Sequence, residues 1–279
     1  MAQFKNMLTL ALITGCPYLC ERSVCSNDTS VLSSENCDHQ ALSKNLGQNK
    51  IALHLRSDNE LVTIDTSRVP QLGLKPSKLY KCSSILRESY WMFKHEVSQE
   101  LYASVMGHNP SKILGLGHPV ENISWFDALR FCETLTALEH KAGRLPLGYV
   151  YRLPSSLEWE FAATGGLLSE QHPYAGGSKI EDVAWIQDNS QQTHHPVGVK
   201  KANELGLYDM TGNVWEWCID QLPADKTAKP GQDTRIKRGG AYYSDSKTAL
   251  VTNLGEMSPH SKGPRFGFRP ILARPYQSE

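Results

Sequence analysis

Apolar residues recur at helical spacing in only a few stretches of this chain. From residue 125 to 142, Ala128, Phe131, Cys132, Leu135 and Leu138 fall three and four apart, on one face. Ser124 with Asp127 reads as a capping pair that opens this helix, and Gly143 closes it. Ser98 and Gly107 bracket a shorter helix over residues 99–106 in the same way. Ser155 with Glu158 repeats the capping pair ahead of residues 159–163, which Gly165-Gly166 stop. Elsewhere the pattern breaks into short apolar pieces between Gly, Pro and Asn, at residues 51–55, 61–64, 90–93, 235–243 and 265–271. Those lengths suit strands. Few helices among many short strands and long loops predict an α+β fold.

The periodic texture begins near Tyr80 and persists to Leu272. Before it, residues 26–75 are rich in Ser, Asn, Asp, Gln and Lys, and Pro70 and Pro76 mark a linker. At the start, Lys5 precedes the apolar stretch 7–13 and then Thr14-Gly15-Cys16. A positive residue, a short apolar run and small residues describe a secretory signal. Its end, Ile13-Thr14-Gly15-Cys16, resembles a bacterial lipobox, in which Cys16 is lipidated. The chain therefore divides into a signal (1–16), an arm (17–79) and a domain (80–275), with the bacterial cell envelope as the expected location.

Charge and cysteine usage narrow the function. The 29 basic and 29 acidic residues balance, so no field of one sign draws the chain to nucleic acid. No apolar run approaches the roughly 20 residues a bilayer needs, so membrane contact is expected only through the lipid anchor. Of seven cysteines, Cys16, Cys20, Cys25 and Cys37 crowd the start, without the paired C-x-x-C spacing of a zinc site. Disulfides or free thiols in the arm remain open. Lipidation of Cys16 leaves six cysteines, an even number suited to an oxidising compartment.

Four segments carry a family signature. They run from Glu96-Val97-Ser98-Gln99 to Gly107-His108-Asn109-Pro110; over Pro119-Val120-Glu121-Asn122-Ile123-Ser124-Trp125; from Arg152-Leu153-Pro154-Ser155 to Glu158-Trp159-Glu160; and over Gly206-Leu207-Tyr208-Asp209-Met210-Thr211-Gly212-Asn213-Val214-Trp215-Glu216-Trp217. With Arg238-Gly239-Gly240 and Gly267-Phe268-Arg269 in the same order, the chain resembles the formylglycine-generating (sulfatase-modifying) family across residues 80–273. The resemblance implies a duplicated C-type-lectin-like architecture with little regular secondary structure. Trp125, Trp159, Trp215 and Trp217 are expected in its core, each with an indole donor to satisfy.

In the active family two cysteines after the Gly-Gly turn hold copper, and thiolates suit copper(I). Aligned on Gly239-Gly240, those positions are Ser244 and Ala249, and the neighbouring serine is Ala241. No copper is expected, because an alcohol is a poor ligand for copper(I). The family's disulfide positions fall on Cys132 with Pro270, and on Ala163, so Cys132 is expected to be a small apolar core residue, as is Cys218. The same resemblance makes Asp209, Gly212, Val214 and Glu216 a structural calcium loop of oxygen ligands. The bland alternative is that Asp209 caps a turn and Glu216 pairs with an arginine. A second family calcium site is expected to be missing at Val183. His194-His195 read as a solvated loop, and Lys200-Lys201 and residues 235–238 as solvated charge.

Two functions remain. One is a non-catalytic, envelope-associated binding or scaffold lipoprotein, for a protein or small-molecule ligand. The other is a periplasmic oxidoreductase acting without the cysteine pair, as in maturation of a secreted metabolite or protein. Tyr242, Tyr243, Ser244, Asp245, Glu256 and Arg265 are the residues placed to line a pocket for either.

Overall fold

The computed structural model describes residues 61–67, 86, 88–221 and 233–277, all within one compact unit spanning 44–279. The lipobox, the cysteines of the arm and the 51–55 stretch lie outside the described residues. The first two main helices begin where their caps predict, and the third starts at Ser156, directly after its Ser155 cap and three residues ahead of the expected 159. In α1 (Gln99–Met106) the Ser98 side chain accepts from Leu101 N, and Gly107 ends the helix at φ 78°. In α2 (Trp125–Lys141) Ser124 and Asp127 satisfy each other's backbone amides, and Lys262 adds an ion pair to Asp127 at 2.7 Å. In α3 (Ser156–Ala163) Ser155 and Glu158 form the second capping box, and Arg152 clamps Glu158 through two bonds of 2.8 Å. A one-turn helix, α4, covers Ile180–Val183.

Two four-stranded sheets complete the fold. The first runs β1 (Leu61–Ile64), β2 (Tyr90–Phe93), β8 (Ile271–Ala273), β3 (Val150–Arg152), all antiparallel. The second runs β6 (Leu254–Met257), β5 (Arg235–Arg238), β4 (Trp215–Trp217), β7 (Phe266–Gly267), with β4 and β7 parallel. Two expected strands are shorter than the apolar pattern suggests. The 235–243 stretch stops at Arg238 because Gly239 and Gly240 take φ 88° and 80° and turn the chain away. The 265–271 stretch splits into β7 and β8, and Pro270 in the gap has no N–H for a ladder. That split lets one segment stitch the two sheets together, with Arg269 at the joint.

The four tryptophans lie in the core, as expected. Nε1 of Trp125 donates to Cys218 O at 2.7 Å, that of Trp217 to Ile123 O at 3.0 Å, and that of Trp159 to Glu216 at 2.6 Å. Ala128, Phe131, Cys132 and Leu135 of α2 are buried with Tyr102 and Phe268, and Leu138 packs at the margin. Cys132 and Cys218 are free and buried thiols, and burial raises the pKa of both. At roughly 1.5–3 kcal/mol per buried large apolar side chain, this face is what holds α2 against the sheets.

Candidate functional site

The turn after β5 holds the positions that the family resemblance assigns to a thiol pair. Gly239 and Gly240 bring the backbone beside Trp159, and Gly212 N donates to Gly239 O at 2.8 Å. A Cβ on Gly240 would stand 3.2 Å from Ala249 Cβ and 3.5 Å from Ser244 Cβ. The two positions expected to carry thiols therefore still flank one residue. Their side chains have turned to structural work. Ser244 Oγ accepts from Ala241 N at 3.0 Å, closing the turn. Ala249 packs with Ile180, Val183, Ala184 and Ile186. A hydroxyl already engaged and a methyl group in an apolar cluster provide no soft donor, so this site does not fit copper.

The residues expected around Ser244 do not all converge. Arg265 lies over the Tyr243 ring, 4.1 Å from its centroid, and the Tyr243 hydroxyl accepts from Trp215 Nε1 at 3.3 Å. Tyr242 is buried against His194, with ring centroids 6.1 Å apart. Asp245 is exposed and caps the next turn through Thr248 N at 2.7 Å. Glu256 pairs with Ile236, and so faces away from Lys237, and bonds Thr234 at 2.9 Å. The expected pocket thus reduces to Tyr242, Tyr243 and Arg265 above a closed Ser244 turn.

Lys237 is the residue the sequence missed. It shares a sheet face with Trp215, Trp217 and Phe266, and its ammonium sits 3.5 Å from the Trp215 ring centroid. Burial lowers its pKa to about 8, and the Arg265 charge pushes the same way. Reading residues 235–238 as solvated charge is therefore corrected. Arg238 is also buried, bonding Glu160 at 2.6 Å and Ser156 Oγ at 2.6 Å. Only the strand's alternation, which sends neighbouring side chains to opposite faces, signals that such a run can be divided.

The loop expected to hold calcium is arranged around Arg269 instead. The guanidinium reaches both Glu216 oxygens, at 2.8 and 3.1 Å, and donates to Phe93 O and Tyr208 O. Trp159 Nε1 also donates to Glu216, at 2.6 Å. Asp209 sits at φ 57° and accepts from Gly198 N at 2.6 Å. Glu96 completes the cluster, accepting from Val214 N at 3.0 Å and Asn213 Nδ2 at 2.6 Å. Burial, and then the nearby Asp209 and Glu216 charges, push the Glu96 pKa well up. The two carboxylates expected to hold calcium with the Gly212 and Val214 carbonyls, Asp209 and Glu216, thus already accept from protein donors, which are also the contacts of a capping aspartate and an arginine-paired glutamate.

The histidines also depart from expectation. His194 is fully buried, and its Nδ1 lies 2.9 Å from His118 Nδ1. Burial, with the neighbouring His118 and His195 charges, lowers its pKa to about 4. His195 stacks on Trp185 at 3.7 Å between ring centroids. The pair is packed rather than solvated, and its rings do point apart. Lys200 lies over Trp185 at 4.0 Å, while the exposed Lys201 bonds Gly176 O at 2.9 Å.

Comparison with known proteins places this geometry. The model of the sulfatase-modifying factor enzyme 1-like domain matches residues 75–274. The chaperone protein LppX of Paenibacillus barcinonensis is 31% identical over 262 residues, which span 78% of this chain and 92% of that protein. Inactive C-alpha-formylglycine-generating enzyme 2 of Bos taurus is 31% identical over 170 residues, 55% of this chain and 50% of its own length. The solved Treponema denticola variable protein 1 superposes with a TM-score of 0.59 at 28% identity, covering 67% of this chain and 85% of that one.

Proposed function

The chain belongs to the sulfatase-modifying factor enzyme 1-like family, with its α+β, C-type-lectin-like fold, and from that premise we propose that it is a non-catalytic binding or scaffold lipoprotein of the bacterial envelope. The observation that carries this reading is the Gly240 turn. Ser244 and Ala249 keep the places of a thiol pair yet contribute only a hydrogen bond and a methyl contact. Copper(I)–oxygen chemistry of the family type needs soft donors there, whereas the surrounding fold needs only shape. Two names among the relatives agree with the reading: one is a chaperone protein, the other an inactive enzyme.

Anchoring is proposed through a lipid on Cys16, after Ile13-Thr14-Gly15. Labelled palmitate fed to cells should tag the chain, and Cys16→Ala should remove the tag. Recovery of untagged, unprocessed protein retaining Met1 contradicts the anchor. For the non-catalytic part, oxygen uptake by purified protein with copper and a thiol reductant should stay at the level of the Ser244→Ala variant. Uptake that exceeds it and follows protein concentration favours the oxidoreductase alternative.

A further inference from the structure

Three cations are buried among the described residues, and one has no counter-charge. Arg238 meets Glu160 at 2.6 Å and Arg269 meets Glu216 at 2.8 Å. Lys237, only 8% exposed, has neither a carboxylate nor a hydrogen-bond acceptor among the described residues. Its ammonium rests on Trp215 at 3.5 Å and faces Phe266 at 5.7 Å. Ring faces recover part of the cost of burying a cation, but an unpaired buried charge remains unfavourable.

The neighbour beside the amine is the smallest residue available. Lys237 pairs with Gly255 of β6, at the sheet edge, and a Cβ on Gly255 would lie 2.9 Å from the ammonium. Any larger residue would crowd the space that the amine faces. Arg265, exposed and without an acidic partner among the described residues, rides on Tyr243 at 4.1 Å. Tyr243 is bonded to Trp215 through its hydroxyl, so the two cations stand on neighbouring, linked rings.

We propose that Lys237 and Arg265 form an oxyanion subsite for a ligand whose carboxylate or phosphate meets the two cations and whose apolar part lies on the Trp215 and Tyr243 rings. The proposal deepens the binding reading above and rests on it. An arginine fork suits either oxyanion, and the lysine adds a point charge already stripped of much of its water. Because the folded protein has already taken that desolvation cost, an incoming anion restores the missing charge without reordering the site.

The test uses the full chain with three probes of similar shape: phenylacetate, phenyl phosphate and neutral phenylacetamide. Binding is followed by calorimetry and by tryptophan fluorescence. At least one anion should bind about tenfold or more tighter than the amide, and Lys237→Met and Arg265→Met should each weaken it by about tenfold or more. Gly255→Val should weaken it as well, because the added side chain meets the Lys237 ammonium and shifts it. Near-ultraviolet circular dichroism identifies variants that keep the native fold, and acetylation of Lys237, read by peptide mass spectrometry, should slow when the anion is present. The ratio of the two anions tells carboxylate from phosphate. Equal binding of the amide, undiminished anion binding in both folded cation variants, or no anion binding up to millimolar concentration each overturns the subsite. None of those results touches the oxygen-uptake and palmitate tests, so this inference can fail while the broader reading stands.

Discussion

The joint at Arg269 and the turn at Gly240 are both closed by buried polar groups, yet they have fared differently. At the joint, Arg269 and Trp159 are bonded to Glu216, while the nearby Asp209 and Glu96 accept from backbone amides and feel the Arg269 charge. At the turn, the positions that the resemblance assigns to a thiol pair hold Ser244 and Ala249, and both pack close to Gly240. The contrast teaches that the fold and the chemistry of this family are separable. The network fixes the segment 209–217 and the joint between sheets, so it is constrained by folding. At the turn, Ser244 gives one hydrogen bond and Ala249 an apolar contact, and neither contact calls for a thiol.

Breaking the network should have the largest effect. Glu216→Ala leaves Arg269 buried without its carboxylate and is expected to cost roughly 3–5 kcal/mol in urea unfolding. A loss below about 1 kcal/mol would mean that the joint does not depend on this pair.

The pH dependence adds a second contrast, because a buried acid beside Arg238 and a buried histidine beside the turn titrate in opposite senses. Asp220, which accepts from Ser156 N beside Arg238, has its pKa raised from 3.8 to about 6, chiefly by burial. A raised acid contributes stability below its unfolded pKa that is lost as pH climbs through the folded one, here from about pH 4 to 6. His194, against Tyr242, has its pKa lowered from 6.5 to about 4, so its contribution grows as pH rises across that interval. Asp220→Asn should therefore make stability rise more steeply between pH 4 and 6.5, and His194→Gln should flatten or reverse the rise. Each change is on the order of 2 kcal/mol across the window. Parallel curves for both variants and the parent would show that neither group is shifted.

A smaller effect is expected at the turn itself. Ser244→Ala removes the acceptor for Ala241 N and should cost about 1 kcal/mol, as a lost hydrogen bond of ordinary strength does. The smallest expected effect is none. Chelator should leave the melting temperature unchanged, since Glu216 is already held by Arg269 and Trp159. A drop that Asp209→Ala abolishes would restore calcium at Asp209, Gly212, Val214 and Glu216, because a ligand bound only to the native state raises its stability.

Much of the fold was legible because its signals are local. Ser98, Ser124 and Ser155 announce helices through bonds made within three residues, and glycines mark their ends. The proximity of Ser244 and Ala249 to the Gly-Gly turn followed from their nearness in sequence to it. What escaped depends on partners distant in sequence. Arg238 is buried because Glu160 and Ser156, about 80 residues earlier, receive it. His194 is packed because His118 faces it from 76 residues away. Lys237 differs again: its aromatic neighbours stand in the motif, but nothing in a run of basic residues tells which one turns inward.

The central claim is that this chain has kept the family's shape without its thiol-based oxidation. The direct measurement is to incubate the protein, in the presence of copper, with a peptide bearing Cys-x-Pro-x-Arg and look for aldehyde by mass spectrometry. A Ser244→Cys, Ala249→Cys variant is run alongside, since both positions still flank Gly240. The account predicts an unchanged cysteine with the natural sequence, whatever the variant does. Aldehyde formed by the natural sequence, in proportion to protein and dependent on oxygen, would contradict it.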